Sequence, residues 1–347
     1  RMRILYLGRR SGTSYHRAQA LRRIGHDVTI FNPRRRLVDQ VWGLSWSWLS
    51  RWIKRTGALF LETVVKRMVE NSPLWEKGFD LVHVDEIAVV GPSLVEALKR
   101  KFGRVSCYVI DDPFGDRDGL KWRLFLKAVP EYDLITVVGE PNIQEAYDHG
   151  AENVLRVFMS VDEKVHAPKD LSREEEEKWS SEVAFVGSWF PERGPFMKTL
   201  IDKGVPLTIR GDNWENAKEW PAIEPYWKGP ALPADDYTKA IQCAKICIGL
   251  LSEGNRDEHT TRSMEVPYAG GLLCAERTRE HTHLYEEGRE AIFWDHAEEC
   301  AHICFKLLEN DEKRRSIAER GRQRCIENGY LNESVMDQIV ERVSVAT

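Results

Sequence analysis

The sequence lacks the long apolar runs and targeting patterns that would tie it to a membrane or to secretion. No apolar run reaches the roughly 18 residues that a bilayer crossing needs, and Arg1–Gly8 enters a strand pattern directly instead of a signal-peptide layout. A cytoplasmic location is therefore expected. The net charge of −5 disfavours nucleic acid as the partner, because phosphate contacts require an excess of cations. A local basic groove stays an open alternative.

Metal and dinucleotide motifs are also missing. The seven cysteines form no Cys-x-x-Cys pair, and no His-Glu-x-x-His occurs. An odd number of cysteines in apolar surroundings predicts reduced core thiols rather than a metal site. The loop after the first predicted strand holds Gly8 and Gly12 but no complete Gly-x-Gly-x-x-Gly, which disfavours a dehydrogenase. We expect neither a metal nor a tightly bound cofactor.

What the chain does contain is enough material for two α/β domains. Its 347 residues are 42% hydrophobic and 30% charged, a globular balance over a length that suits two cores. Short apolar runs alternate with helical periodicity, as in parallel sheets covered by helices. The predicted strands are Arg3–Leu7, Asp27–Phe31, Phe79–Val84, Val105–Ile110, Leu134–Val138, Val154–Phe158, Val183–Val186, Leu207–Arg210, Ile246–Leu251 and Leu272–Ala275.

The domain boundaries follow from changes in composition. Residues 1–163 form one predicted doubly wound domain, and the charged segment 164–181, with a proline and four consecutive glutamates, is the predicted linker. Residues 182–325 form the second domain, and 326–347 form a helix for which a return to the first domain is one option. Ligands bind beyond the carboxyl ends of parallel strands, so loops of both domains are expected to line a cleft.

Four stretches resemble a known family. They are AENVLRVFMSVDEKVHAP (151–168), VAFVGSWFPERG (183–194), LTIRGDNW (207–214) and RDEHTTRSMEVPYAGGLLCAERT (256–278). With them the chain resembles the GT-B glycosyltransferases, most closely the CgeB-like bacterial group. The resemblance implies two Rossmann-like domains facing each other across a cleft. It also implies metal-independent transfer of a sugar from a nucleotide diphosphate, UDP by default, to an acceptor that the sequence does not identify.

The fourth stretch holds most of the predicted donor site. A threonine, Thr260 or Thr261, is expected to cap a helix whose N-terminus attracts a diphosphate. Arg262, in the first turn, can add a bidentate contact. Glu265 can accept both hydroxyls of a ribose; the alternative is that it only pairs with Arg262 three residues away.

The same stretch supplies the predicted sugar contact. By resemblance, Asp257 faces the sugar, as the first acidic residue of a Glu-x7-Glu pattern in related retaining enzymes. Aspartate shortens the reach of that side chain, so His259 is an alternative contact.

The second and third stretches add further donor residues. Related enzymes carry Gly-Arg and then Lys-Gly on the diphosphate, and here the chain has Gly187-Ser188 and then Arg193. Arg193 would be the phosphate cation, or else a solvated surface arginine. Arg210 ends a predicted strand, and Lys228-Gly229 lies in the loop that the resemblance assigns to the nucleobase.

Carboxylates at strand ends are the candidate catalytic bases. Asp111 and Asp112 follow Val105–Ile110, and Asp112 is favoured slightly as the group that deprotonates the acceptor hydroxyl. The alternative is that both side chains cap the turn before Pro113. Asp85 is a rival base. These carboxylates favour inversion, whereas the pair formed by Asp257 with the ribose glutamate favours retention, so the stereochemistry stays open.

The segment Trp42–Trp52 combines four tryptophans with neighbouring basic residues. On a helix, Trp42, Trp46, Leu49 and Ile53 form one stripe. The stripe is expected to pack on the core of the first domain. The alternatives are contact with a membrane or a lipid-linked acceptor, at the inner face of the membrane, and contact with a protein partner.

Two other functions compete with glycosyl transfer. A nucleotide-sugar epimerase can share the two-domain plan and would alter the sugar nucleotide without an acceptor. A non-catalytic nucleotide-sugar-binding subunit would bind the donor and leave it intact. Because one fold supports many chemistries, only the site residues can separate them.

Overall fold

The computed structural model describes residues 1–40, 45–58 and 60–345. The chain forms two compact α/β units. Unit 1 contains Arg1–Phe158, Gly254–Arg256 and Asn332–Thr347, and unit 2 contains Met159–Glu253 and Asp257–Leu331. None of the described helices combines the length and the hydropathy that a bilayer crossing requires.

Unit 1 is built on a six-stranded parallel sheet with the strand order β2-β1-β3-β4-β5-β6. The strands are β1 (Arg3–Leu7), β2 (Asp27–Phe31), β3 (Leu81–Val84), β4 (Val105–Val109), β5 (Leu134–Val137) and β6 (Val154–Arg156). The helices are α1 (Gly12–Arg23), α2 (Pro33–Gln40), α3 (Trp46–Thr56), α4 (Leu61–Glu70), α5 (Pro92–Phe102), α6 (Arg123–Ala128), α7 (Pro141–Asp148) and, from the C-terminal region, α16 (Asn332–Val345).

Unit 2 is built on a five-stranded parallel sheet with the order β11-β10-β9-β7-β8. The strands are β7 (Ser181–Val186), β8 (Leu207–Arg210), β9 (Ala244–Gly249), β10 (Leu273–Glu276) and β11 (Ile292–Trp294). The helices are α8 (Arg173–Trp179), α9 (Arg193–Asp202), α10 (Trp220–Ile223), α11 (Ala234–Gln242), α12 (Arg262–Tyr268), α13 (Arg279–Leu284), α14 (Ala297–Leu308) and α15 (Asp311–Asn328). Short 3-10 turns lie at Ile87–Val89, Val129–Glu131, Trp214–Asn216, Glu224–Tyr226 and Glu253–Asn255.

The predicted α/β class and the ten predicted strands are confirmed, with ends shifted by up to two residues. The central strands β3, β4 and β5 are buried along their whole length, and strands covered on both sides appear in a sequence as the continuous apolar runs that predicted them. The three-residue strand β11 was not predicted, because so short a run has no recognisable pattern.

The predicted linker, 164–181, contains the helix α8 and belongs to unit 2. Ser172 and Glu175 form a reciprocal capping box at its start, and Lys239 on α11 pairs with Glu175. The C-terminal helix α16 belongs to unit 1, where it packs against α1 and Glu333 pairs with Arg23.

Each sheet has one point at which the strand order reverses. It lies between β1 and β3 in unit 1 and between β7 and β9 in unit 2. Segments that leave the two flanking strands there diverge to opposite faces of the sheet. Open α/β sheets bind ligands in the crevice beyond such a point, so two places in this chain require inspection.

Candidate functional site

The backbone comes unusually close to itself at the switch point of unit 2. Gly211 has φ of +143°, and a Cβ there would lie 2.0 Å from the carbonyl oxygen of Gly187. A Cβ on Gly187 would lie 2.7 Å from the ring of Phe185 and 3.2 Å from an Nη atom of Arg262. Only glycine fits where the backbone after β7 runs this close to its neighbours. The guanidinium of Arg262 therefore lies directly over the end of β7.

Two arginines converge at this point. Arg262 donates from Nε to the carbonyl oxygen of Val186. Arg193, only 5% exposed, donates from Nη1 to the carbonyl oxygen of Ser188 (2.7 Å) and from Nη2 to that of Leu251 (3.1 Å). Burial, and then the positive charge of Arg262, lower the pKa of Arg193 to about 10. Arg193 is thus a buried tie between the loops after β7 and β9 and not a solvated surface arginine.

The positive charge of this pair has no acidic counterpart in contact. Within residues 1–40, 45–58 and 60–345, the side-chain hydrogen bonds of Arg193 and Arg262 all go to carbonyl oxygens, and the carboxylates of Glu192 and Asp257 act on Arg193 only through longer-range charge. Buried charges are normally paired. Two adjacent guanidinium groups that bind only carbonyl oxygens form a site suited to an anion.

Glu265, on α12, lies in a pocket of polar partners. The hydroxyl of Tyr237 donates to its Oε2 at 2.7 Å, and His166 Nε2 lies 3.5 Å from Oε1. Burial, together with the nearby negative charge of Glu265, raises the pKa of Tyr237 well above its usual value, so its phenol remains a donor. The suggested pairing of Glu265 with Arg262 is not found among these contacts. A carboxylate offers about four acceptor positions, so this one can take further donors.

Asp257 and His259 hold the loop before α12. Asp257 accepts a hydrogen bond from the backbone N–H of Ser252 at 3.3 Å. His259 accepts the N–H of Met159 at its Nε2 (2.9 Å), which leaves Nδ1 to donate to the carboxylate of Glu280. Both ring nitrogens are engaged within unit 2 and the ring is buried, so His259 is arranged as a structural link.

A buried relay that the sequence did not reveal fixes the start of α12. The N–H of Thr260 donates to Ser263 Oγ (3.0 Å), which bonds His281 Nε2 (2.7 Å), and His281 Nδ1 donates to the carbonyl oxygen of Glu276 (2.6 Å). Burial lowers the pKa of His281 to about 4, so the ring is neutral near pH 7. The predicted capping by a threonine side chain is wrong. Thr261 stands at the N-cap position of α12 without a side-chain cap bond, and the hydroxyl of Ser263 accepts the N–H of Thr260 just before the helix.

Arg210, Lys228 and Gly229 form one loop at the end of β8. Arg210 Nη1 donates to the carbonyl oxygen of Lys228 at 2.7 Å, and Gly229, with φ of +132°, accepts the N–H of Gly211 at 3.0 Å. Lys228 itself donates from Nζ to the carbonyl oxygen of Pro225. These hydrogen bonds hold the turn at Lys228 and Gly229 against the end of β8.

In unit 1, Asp112 is an anchored carboxylate. It accepts hydrogen bonds from Arg256 Nε (2.6 Å), from Asn142 Nδ2 (2.9 Å) and from the backbone N–H groups of Phe114 and Gly115 (3.2 and 3.1 Å). Only 5% of the residue is exposed. This is the turn-capping arrangement that the sequence left as an alternative, and it leaves the carboxylate few open positions for an incoming proton.

Asp85 and Asp111 line a cavity of about 300 Å³ at the switch point of unit 1. Arg17 donates to Asp85 from Nε (3.2 Å) and Nη2 (2.6 Å). Burial would raise the pKa of Asp85, but the Arg17 charge and its hydrogen bonds hold it below the usual value. Asp111 is half-buried, with Arg117 at 3.5 Å and Lys121 at 3.7 Å. Of the three predicted bases, Asp111 is the most open to a ligand.

The same loop contains an Asp-x-Asp spacing, at Asp116–Asp118, whose carboxylates could in principle bind a metal ion. Arg117 Nη2 lies 2.8 Å from Asp118 and Lys121 Nζ lies 3.7 Å from it, while the indole of Trp122 donates to it at 3.1 Å. Cations and a neutral donor thus surround the more buried of the two carboxylates. These surroundings do not fit a metal ion.

The seven cysteines are all free, and six of them are buried. Cys274, Cys300 and Cys304 bring their sulfur atoms within 4.8 Å of one another in the core of unit 2. Their neighbours are apolar side chains, as expected for core thiols.

Comparisons with known proteins agree with the architecture. Residues 193–341 match a family described as glycosyl transferase-like. No curated protein matches the chain.

Among solved structures, HepE from Anabaena in complex with UDP-glucose superimposes with a TM-score of 0.68 at 12% identity, over 99% of this chain and 100% of that one. Sucrose-phosphate synthase from Thermosynechococcus elongatus has a TM-score of 0.68 at 11% identity, over 100% of both chains. A glycosyltransferase from Rickettsia africae gives 0.63 at 13% identity, over 99% and 98%. The fold of this protein is therefore the GT-B fold, with two Rossmann-like domains.

Proposed function

We propose that this protein is a GT-B glycosyltransferase that moves a sugar from a UDP-sugar to an acceptor, and that it is related to the CgeB-like bacterial group. HepE, with the same fold, was solved with UDP-glucose and with UDP, which supports a uridine donor. The matched glycosyl transferase-like segment spans Arg193, Arg262 and Glu265.

The pair of guanidinium groups beside Gly187 is the observation that carries the proposal. In the proposed reaction, the diphosphate of the sugar nucleotide is the anion that would bind at the switch point of unit 2. As the glycosidic bond breaks, negative charge grows on the departing diphosphate, and fixed cations stabilise that charge most in the transition state. Arg262 has the freer guanidinium, because only its Nε is bound to the protein in the described contacts. We assign it the phosphate contact, with Arg193 holding the loop.

Glu265 is the proposed ribose ligand. Tyr237 occupies one acceptor position of Oε2, and the carboxylate keeps positions for the two ribose hydroxyls. Asp257 remains the proposed sugar contact, and His259 acts through its links to Met159 and Glu280. Lys228 and Gly229 would meet the base through backbone atoms.

The cavity of unit 1 is the proposed acceptor site. Its lining alternates cations with carboxylates: Arg9 Nε lies 2.9 Å and Arg34 Nε 2.7 Å from Glu86. Such a polar lining suits a hydroxyl-rich acceptor. We propose Asp111 as the group on the acceptor side, with Asp85 as the alternative. The five hydrogen bonds of Asp112, to side chains and backbone, favour a loop-organising role for it.

Incubation with a panel of sugar nucleotides tests the proposal. A glycosyltransferase releases free nucleotide, and faster when its acceptor is present. An epimerase would return an altered sugar nucleotide with no free nucleotide, and a binding subunit would return the donor unchanged. We also propose that transfer needs no metal, so activity should survive EDTA; loss that Mg²⁺ or Mn²⁺ restores would contradict this part.

A further inference from the structure

The helix α3 has two faces with different surroundings. Leu49 and Ile53 on its inner face are 2% and 1% exposed and belong to the core of unit 1, in line with the packing expected for the stripe. Trp42 of that stripe lies outside the described residues. The outer face, at spacings of three and four residues, carries Trp48, Arg51, Trp52 and Arg55. Trp52 is partly buried and also packs against that core, so the core leaves Trp48, Arg51 and Arg55 of this face unexplained.

Exposed apolar side chains concentrate around this outer face. Trp48 is 48% exposed and stacks on Trp52, with ring centroids 6.3 Å apart. Just beyond the end of α3, Phe60 is 78% exposed and Val64, one turn on, 42%. Leu120 is 50% exposed. Together, Trp48, Trp52, Phe60, Val64 and Leu120 are named the aromatic patch below.

Hydrogen bonding ties these elements together. The N–H of Leu120 donates to the carbonyl oxygen of Lys54 at 3.1 Å, and a Cβ on Gly57 would lie 2.7 Å from Arg123. Four of the eight large apolar residues exposed in the described chain, Trp48, Phe60, Val64 and Leu120, thus come from adjoining segments. Large apolar residues that are exposed singly are normal, whereas a concentration marks an interaction surface.

The backbone at Phe60 adds a second, independent sign. Its φ is +66°, and that of Ala58 is +58°, a left-handed conformation that costs energy for a residue with a side chain. An aromatic ring is thus held in solvent by a strained backbone. Such strain concentrates where function requires a particular display of side chains.

The charge on this surface is positive, which favours an anionic partner. Residues 45–58 contain Arg51, Lys54 and Arg55 and no acidic residue. All three are exposed, and none pairs with a carboxylate in the described part of the chain. Tryptophan beside exposed cations on one helix face, with an exposed phenylalanine just beyond the helix, is typical of an interfacial membrane helix. Cations near an anionic leaflet each contribute about 1 kcal/mol, or about fivefold in binding.

The geometry points to the aromatic patch and the basic residues of α3 as a docking surface for an anionic lipid bilayer, with the aromatic rings at headgroup level. The inference is independent of the proposed transfer reaction. A single-stranded nucleic acid also stacks on aromatic rings, and binding of an oligonucleotide is therefore an outcome of the test below.

Vesicle co-sedimentation of the full chain tests the inference. The protein is expected to sediment with vesicles of phosphatidylcholine mixed with phosphatidylglycerol, less with phosphatidylcholine alone, and less as salt rises. Trp48→Ser combined with Phe60→Ser should weaken binding at least about tenfold, since burying one aromatic ring in part already contributes that much. Arg51→Gln with Arg55→Gln should weaken binding about 25-fold on anionic vesicles only.

Phe305→Ser is the matched control, because Phe305 is 40% exposed on α14 of unit 2. It should bind vesicles like the wild type, and all variants should keep the wild-type unfolding midpoint. Should a serine variant fail to fold, the arginine variant tests the surface alone. No sedimentation of the wild type with anionic vesicles, equal sedimentation of wild type and folded variants, or arginine-dependent binding of an oligonucleotide without vesicle binding would each overturn the inference.

Discussion

Replacement of Glu265 separates its proposed ribose contact from its structural role. Glu265→Ala removes the acceptor of the partly buried Tyr237 hydroxyl, 2.7 Å away, as well as the proposed ligand contact. An unsatisfied buried donor costs about 1–3 kcal/mol of unfolding free energy, and loss of a charge-assisted hydrogen bond costs about 1.5–3 kcal/mol of binding free energy. The alanine variant should therefore lose stability and bind UDP about 10- to 150-fold more weakly.

Glu265→Gln is the sharper probe. Its amide oxygen can still accept from Tyr237, so the free energy of unfolding should fall by less than about 1 kcal/mol. The ribose hydroxyls lose a charged acceptor, so UDP affinity should still fall about tenfold. Tyr237→Phe is the converse control, since it keeps the carboxylate of Glu265 and removes only the hydroxyl that donates to it. UDP affinity should stay within about threefold of wild type.

Calorimetry with UDP and urea unfolding supply the two readouts. If both Glu265 variants bind UDP as tightly as the wild type while losing stability, the residue is a structural partner of Tyr237 and the ribose assignment is wrong. If Glu265→Gln loses affinity and keeps stability, the ribose contact and the structural role are separate.

Three further predictions concern the other groups of the two sites. Arg262→Ala should lower kcat about a hundredfold, the low end for a lost electrostatic donor, and a change in KM alone would make the arginine a uniform binding contact. Asp111→Asn should cut transfer at least about a hundredfold at near-normal UDP affinity, whereas Asp112→Asn should mainly destabilise unit 1; a large loss of transfer in a stable Asp112 variant would reverse the assignment. Because burial lowers the pKa of His281 to about 4, below the about 6.5 of an unfolded chain, the unfolded state binds more protons between these values. Unit 2 should therefore lose stability as pH falls from about 6.5 to 4, by up to about 1.4 kcal/mol per pH unit, and urea titrations of His281→Gln should give a shallower slope than wild type.

The sequence predicted the sheets well because buried parallel strands have a local pattern. Leu134–Val137, for example, is buried along its whole length and could be read directly from its apolar, β-branched sequence. Roles that depend on distant partners had no such pattern. Arg193 bonds the carbonyl oxygen of Leu251, 58 residues on, and nothing near Arg193 in sequence distinguishes that tie from a phosphate contact.

The carboxylates illustrate the same limit. Asp111 and Asp112 are adjacent and chemically identical, and the favoured order between them rested on position alone. Their surroundings differ because Arg256, 144 residues later, bonds Asp112 and not its neighbour. The helix α3, which has one buried and one exposed face, shows the same limit. Periodicity predicts which of its residues share a face, but it does not predict what each face contacts.

Unit 1 is built from segments that are far apart in the sequence, and this has a consequence for how it folds during synthesis. Arg256 reaches Asp112 and Glu145, and Glu333 on α16 pairs with Arg23, 310 residues earlier. On the ribosome, the six strands of unit 1 emerge long before these partners do. Unit 2 lies almost entirely between the early and late parts of unit 1, so the whole of unit 2 is synthesised before α16, the last helix of unit 1. A nascent chain arrested before α16 should therefore hold a protease-resistant unit 2 beside a unit 1 that is still open to cleavage.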